Sequence, residues 1–569
     1  MVRNLCARVA LFGAFVASSA AGGCGSSSGD PPPKADVPLD TDESIVAGGA
    51  PSLCVGVRGN GHYIVTHFAS MSRIVETYGV PHGVAGGSSG SITQFVYESI
   101  LMSPVIRRCA GKACTGTEES ARVALALKSL EGYGEALVTS DEAVAVADLV
   151  GLVVKLKDEV DKRGIKALLS TDTVEATKRL KEVLAIPEVK DLVNPEILDL
   201  LSSPSRATWA AKDVYTSIVT LGAFSVDDNR LFFRPGVLNW DTLATLFGRV
   251  GSFYAGYAPT DTAAQESWFA DCAAGSVGKP WVEAAKIETP TGTCGKRFVD
   301  MVAAYRDVVR KSPPDKSRID DRVDSPTPLV KLVSTSVLDG EAAKQFAAAR
   351  AKYLAGDYPT GNIPFAPPFA DVRFGYWGRA RDLEKVAANA RHYDDEKTSK
   401  FLALGDATWR EILRASPAEP GLSRLTELPA GRTSAGGWSD LAPVLVLKNA
   451  GCKQVVYVTR EGDESGFATK IAKRLSMDEG AWRRLYDLSG ESAYTRSVRE
   501  ADGVWCTNWN SFGDLQQREM SLDSFGAPLE RRPPLAGMPF VRPYGNVTDR
   551  TGKVGCTPLV GGGATFPAD

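Results

Sequence analysis

The stretch 83–102, GVAGGSSGSITQFVYESILM, decides how the chain is read. A short apolar run enters a glycine and serine turn, and a longer run with helical spacing leaves it. Gly86, Ser88 and Gly90 stand at G-x-S-x-G spacing. That spacing suits a serine held at a sharp strand-to-helix turn, because its neighbours must lack bulky side chains where backbones pack closely. The helix that follows turns its first amides and its positive dipole end toward the serine, which lowers the cost of an oxyanion there. Two other uses of a glycine-rich turn fit less well. A phosphate-binding loop ends in Gly-Lys-Ser/Thr, and no lysine lies between 58 and 111. A dinucleotide-binding turn needs GxGxxG, and Gly59-Asn60-Gly61 gives half of it, since Ile64 fills the third position.

Outward from the turn, SLCVGV (52–57) reads as a short apolar strand running into the glycine turn RGNGH. HYIVTHFASMSRIVETYG (62–79) has helical spacing and stops at Gly79. Strand, helix, strand, tight turn and amphipathic helix make a crossover unit, which implies a parallel sheet covered by helices. Farther on, PTPLVKLVSTSVLDGE (326–341) reads as a strand ending in a turn. Residues 354–378 read as a Pro- and aromatic-rich loop, EILRASPAEPG (411–421) as a helix, GRTSAGGWSDLAPVLVLKNAG (431–451) as a turn, and CKQVVYVTREG (452–462) as a strand. The expected fold class is α/β, with a mainly parallel central sheet flanked by helices and a helical insertion at about 115–205. The main domain is expected over 49–470, followed by an extension over 471–569.

The 569 residues are 44% hydrophobic and 23% charged, which suits a folded globular chain. A formal net charge of −3 gives no nucleic-acid surface. Arg3 and Arg8 flank the apolar run VALFGAFVASSA, which ends at AAGGC. This reads as an export signal over 1–24, too short to span a membrane. Cleavage before Cys24 resembles bacterial lipoprotein processing, with Cys24 carrying the lipid; the alternative is an ordinary secretory signal cut near Ala21. The polar, Pro/Ser/Gly-rich segment 25–48 reads as a tether. The expected location is therefore the bacterial cell envelope, anchored to the membrane through Cys24, or the periplasm. No other run reaches 18 apolar residues, so no transmembrane helix is expected.

Cys6 and Cys24 fall in the signal, leaving eight of ten cysteines. Cys109 with Cys114, Cys272 with Cys294 and Cys506 with Cys556 are the expected disulfides of an exported chain. Cys54 and Cys452, in or beside apolar strand-like runs, are expected as buried free thiols. No cysteine pair has zinc-site spacing, so no metal or other cofactor is expected.

A nucleophilic serine needs a base. A triad in Ser-Asp-His order needs a late histidine, but the four histidines are His62, His67, His82 and His392. Three precede Ser88 and the fourth lies in a charged helix-like stretch, so each reads as structural or surface. The pattern points to a dyad in which a carboxylate replaces histidine.

Four blocks in order resemble the patatin-like phospholipase family: CVGVRGNGH, AGGSSGS, LVKLVSTSVLDGE, and ILRASPAEPG followed by GGWSDLAPVLVLKNAGCKQVVYV. They span roughly 50–460. The resemblance implies a patatin-like fold and a Ser-Asp dyad that hydrolyses lipid or other acyl esters. Ser88 would attack the ester carbonyl, with Gly86 and Gly90 shaping the elbow. Backbone amides of Arg58, Gly59, Asn60 and Gly61 would hold the oxyanion. The family's aspartate would stand in an Asp-Gly-Gly turn. Here the turn reads Ser434-Ala435-Gly436-Gly437, and alanine cannot accept a proton. Asp440 either substitutes as base or caps the next helix. A pseudoenzyme that binds lipid or acts in envelope interactions is the alternative.

Overall fold

The computed structural model describes residues 53–59, 64–106, 108–138, 262–311, 329–338, 373–388, 402–417, 427–436, 440, 443–460 and 501–507, with isolated positions at 340, 344, 348, 547–548 and 554–555. The signal, Cys24 and the tether lie outside them. So does most of the expected insertion.

Five buried apolar residues form β1 (Leu53–Val57). Continuous burial on both faces is the mark of an interior parallel strand. Helix α1 (Ile64–Tyr78) returns the chain and stops at Gly79, whose φ of 90° suits a glycine C-cap. β2 (Gly83–Gly87) then pairs in parallel with β1. Helix α2 (Ser89–Leu101) follows directly. The sequence suggests an amphipathic α2, but all thirteen of its residues are buried. The cause is the next layer: α3 (Gly116–Val138) packs on both α1 and α2, and α4 (Thr262–Ser276), α5 (Trp281–Ala284) and α6 (Cys294–Lys311) pack on α3 in the same apolar cluster. Helix α3, expected to open an insertion, is thus part of the core.

Two hairpins, β3 (Arg108–Cys109) with β4 (Lys112–Ala113) and β5 (Glu288–Thr289) with β6 (Gly292–Thr293), lie off the central sheet, which has nine strands among the described residues. The central sheet runs β10-β11-β7-β2-β1-β12-β13, with β8 and β9 joined to it through β7. Its central strands β7 (Val330–Leu338), β2, β1, β12 (Gln454–Arg460) and β13 (Gly503–Thr507) are parallel. β8 (Arg373–Gly378) and β11 (Arg432–Gly436) run antiparallel to β7, and β10 (Glu427–Leu428) antiparallel to β11. The short β9 (Leu402–Ala403) follows β8 in parallel. Helix α7 (Ala380–Ala388) and helix α9 (Val444–Asn449) pack with a second apolar cluster on the opposite face of the sheet. The molecule is therefore α/β, a mixed and mostly parallel sheet between helices. Helix α8 (Trp409–Ala415) lies with α2 and opens on a capping box between Thr408 and Glu411.

Three expectations change. RFGYWG (373–378), inside the expected loop, is a strand, in keeping with its aromatic content. Residues 432–436, expected as a turn, are also a strand. The segment after 470 supplies edge strand β13 to the main sheet. Cys109–Cys114 and Cys272–Cys294 are bonded as expected. Cys54 and Cys452 are not free thiols but a disulfide, 398 residues apart in sequence. Gly83 makes room for it: a Cβ there would stand 2.5 Å from Cys54 Sγ. Cys556 lies outside the described residues, and with it the pairing expected for Cys506.

Candidate active site

Ser88 sits between the end of β2 and the start of α2, with φ 53° and ψ −127°. Only Ala110 and Ala430 share a positive φ among the described non-glycine residues. Ala430, at φ 61° and ψ 30°, occupies the ordinary left-handed basin, whereas Ser88 lies outside it. Such a conformation costs about 1–3 kcal/mol and persists only where the surroundings fix it.

The surroundings do fix it. A Cβ on Gly86 would lie 2.8 Å from the Gly90 carbonyl carbon and oxygen. A Cβ on Gly90 would lie 2.8 Å from the Val57 carbonyl oxygen, at the end of β1. Both glycines of the G-x-S-x-G pattern are therefore close-approach positions, and the loop after β1 abuts the first turn of α2. The Ser88 carbonyl accepts bonds from the Ser91 amide at 3.0 Å and the Ser91 hydroxyl at 2.6 Å. The Ser88 amide donates to Ser416 Oγ at 2.8 Å, and Ser416 Oγ donates to the Ser334 carbonyl at 2.7 Å. Among the described residues Ser88 Oγ has no hydrogen-bond partner, and Ser88 is 3% exposed.

Strand register sets the rest of the site. β8 covers one edge of β7 over Leu332–Val337. β2 and β11 must then share the other edge, where Gly87 faces Ser334 and Gly436 faces Ser336. β11 thus takes up the edge of β7 just beyond the point where β2 bends away into the elbow. The backbone of 434–436 thus continues along the edge that β2 leaves, with a register shift between Ser434 and Gly436. Ser434 Oγ bonds Ala415 O at 2.6 Å and Thr335 Oγ1 at 2.8 Å.

Asp440 is buried, with its Oδ2 accepting from Tyr376 OH at 2.8 Å. Its carbonyl accepts from Ser334 Oγ at 3.1 Å. No hydrogen bond joins Asp440 to Ser88 Oγ. Nor does Asp440 cap α9, since that helix begins at Val444 with Pro443 at its N-cap. The Asp440 side chain is instead held by Tyr376 of β8.

The expected oxyanion loop is corrected at its first residue. The Arg58 amide donates to Val458 O at 3.0 Å, which commits it to the sheet. The Gly59 amide makes no backbone hydrogen bond among the described residues. Asn60 and Gly61 lie outside them. The first amide of α2 belongs to Ser89.

Beneath the elbow, Glu98 of α2 and Lys331 of β7 form a fully buried pair at 2.9 Å. Trp409 Nε1 donates to the other Glu98 oxygen at 3.1 Å, and Lys331 Nζ lies 5.5 Å and 5.8 Å from the Trp377 and Trp409 ring centroids. His67 is buried, with Nδ1 2.9 Å from Thr93 Oγ1, a bridge from α1 to α2. His62 and His392 lie outside the described residues. No cluster of potential metal ligands occurs among the described residues, and no helix among them is long and apolar enough to cross a membrane.

Sequence reasoning missed Ser416 and Tyr376. Ser416 stands inside a motif quoted for its helix, but nothing local tells that its hydroxyl meets Ser88, 328 residues earlier. Comparisons of the chain with protein-family models, curated proteins and solved structures gave no match.

Proposed function

We propose that the chain is a serine-dependent acyl-ester hydrolase of patatin-like fold, acting on lipid or related esters, with Ser88 as nucleophile. One observation carries the reading: Ser88 is held in a strained conformation at the junction of a parallel strand and a helix, between two glycines that admit no side chain. In this mechanism Ser88 Oγ adds to the ester carbonyl while its proton passes to a base. The oxyanion forms beside the Ser89 amide, with Gly59 supplying the second donor. Collapse expels the alcohol and leaves an acyl-serine, which water hydrolyses. Of the expected set 58–61, Arg58 drops out because its amide is bonded into the sheet, while Asn60 and Gly61 lie outside the described residues.

The base is the weak element. Ala435 stands where the resemblance asks for aspartate, and Asp440 is engaged by Tyr376. We assign Asp440 a structural role and expect slow turnover. These same observations favour a second reading, a lipid-binding envelope protein with a disabled site. The lipid anchor at Cys24, or a periplasmic location, belongs to either reading. Hydrolysis of a short-chain ester by the full chain, compared with Ser88→Ala, tests the first. We expect Ser88→Ala to abolish turnover; equal turnover by both proteins removes Ser88 from the chemistry.

A further inference from the structure

Ser416 does something the strand pairing does not require. Val330 N donates to His82 O at 2.9 Å, which sets the phase of the β2–β7 ladder. In a parallel ladder of that phase, bonds recur every second residue, so the next donor at the elbow is the Ser88 amide and its acceptor is Ser334 O. That direct bond is not made. The Ser416 hydroxyl sits between the two groups, accepting from Ser88 at 2.8 Å and donating to Ser334 at 2.7 Å. One hydroxyl has been spliced into the ladder at the residue where β2 leaves the sheet. It is fully buried, so water cannot take its place without a cavity.

We propose that Ser416 is a positioning residue for Ser88: its inserted hydroxyl separates β2 from β7 by one hydrogen-bond link and so holds the elbow in its strained, outward conformation. The effect on reactivity rests on the nucleophile reading above. Without the hydroxyl, either the Ser88 amide and Ser334 carbonyl are orphaned, or the ladder closes and draws Ser88 into the sheet. A hydroxyl both donates and accepts, and the neighbouring chain offers both an N–H and a C=O. Cysteine fills nearly the same volume with a much weaker donor and acceptor, so it separates packing from hydrogen bonding.

The test compares the full chain with Ser416→Ala and Ser416→Cys in labelling rate by a fluorophosphonate, melting temperature and hydrogen exchange at the Ser88 amide. We expect both variants to label about 30-fold or more slowly, since a displacement of about 1 Å can cost 100-fold, while remaining folded. We also expect an altered Ser88 exchange rate. Parental labelling and parental exchange in a folded Ser416→Cys overturn the proposal. If the parent itself takes no label, the nucleophile reading fails, and exchange at Ser88 alone decides whether Ser416 holds the elbow: a change in either variant upholds it, and no change overturns it.

Discussion

The two halves of the candidate site are built to different standards. At the end of β2, Ser88 is fixed by two close-approach glycines, a spliced hydroxyl and two bonds to its own carbonyl. Across the gap, β11 reaches the same edge of β7, but with alanine at 435, and the nearby carboxylate of Asp440 is turned to Tyr376. On the proposed reading, a fold can keep the costly backbone of a nucleophile elbow while its proton acceptor is absent or diverted. Backbone strain is held by many contacts at once, whereas a base is one side chain and can be lost in a single substitution.

Variants can break or sharpen this contrast. The largest effect is expected beneath the elbow. Lys331→Met leaves Glu98 charged in the core and should cost about 3–5 kcal/mol in chemical denaturation. Adding Glu98→Gln, which keeps an acceptor for Trp409, should restore much of it. A single-variant cost below about 1 kcal/mol would show that the pair does not anchor α2. Next, Gly90→Ala drives a methyl into the Val57 carbonyl and should cost about 2–3 kcal/mol together with labelling of Ser88. Gly116→Ala, where a Cβ meets nothing within 4 Å, is the control and should stay near parental stability. If both substitutions are tolerated alike, the elbow is looser than described.

On the other half, Ala435→Asp should raise ester turnover at least about tenfold, equivalent to about 1.4 kcal/mol of barrier. Asp440→Asn should change turnover little. The reverse pattern would make Asp440 the base and Tyr376 its partner at rest. The smallest effect concerns a buried carboxylate of α7. Asp382 Oδ2, in the first turn of α7, is buried without a hydrogen-bond partner among the described residues, and burial pushes its carboxyl above the usual aspartate range. A raised folded value means that this group favours the folded state in acid and loses that contribution as pH rises through it. Asp382→Asn should therefore stabilise by about 1 kcal/mol at neutral pH, with the gain shrinking toward acid. A gain that is constant with pH would exclude titration of Asp382 as its source.

The sequence makes the elbow legible because its requirements are local. Small residues at fixed spacing, an apolar strand before and a helical run after all fall within 83–102. The same locality made β1, α1, β7 and β12 readable. What escaped depends on distant partners. Whether α2 is amphipathic depends on α1, α3 and α8 packing around it. The Cys54–Cys452 bond depends on a missing side chain at Gly83 in the neighbouring strand. That the Arg58 amide is committed to the sheet depends on β12 lying beside β1. Strand β8 was hidden because its residues sit at the end of a Pro-rich stretch that reads as loop.

The proposed function requires Ser88 to be a reactive serine. The most direct measurement is treatment of the full chain with a fluorophosphonate, followed by digestion and mass mapping of the adduct. We expect one adduct on Ser88, none on Ser89 or Ser91, and no labelling of Ser88→Ala. An unlabelled parent, or an adduct that survives Ser88→Ala, would contradict it.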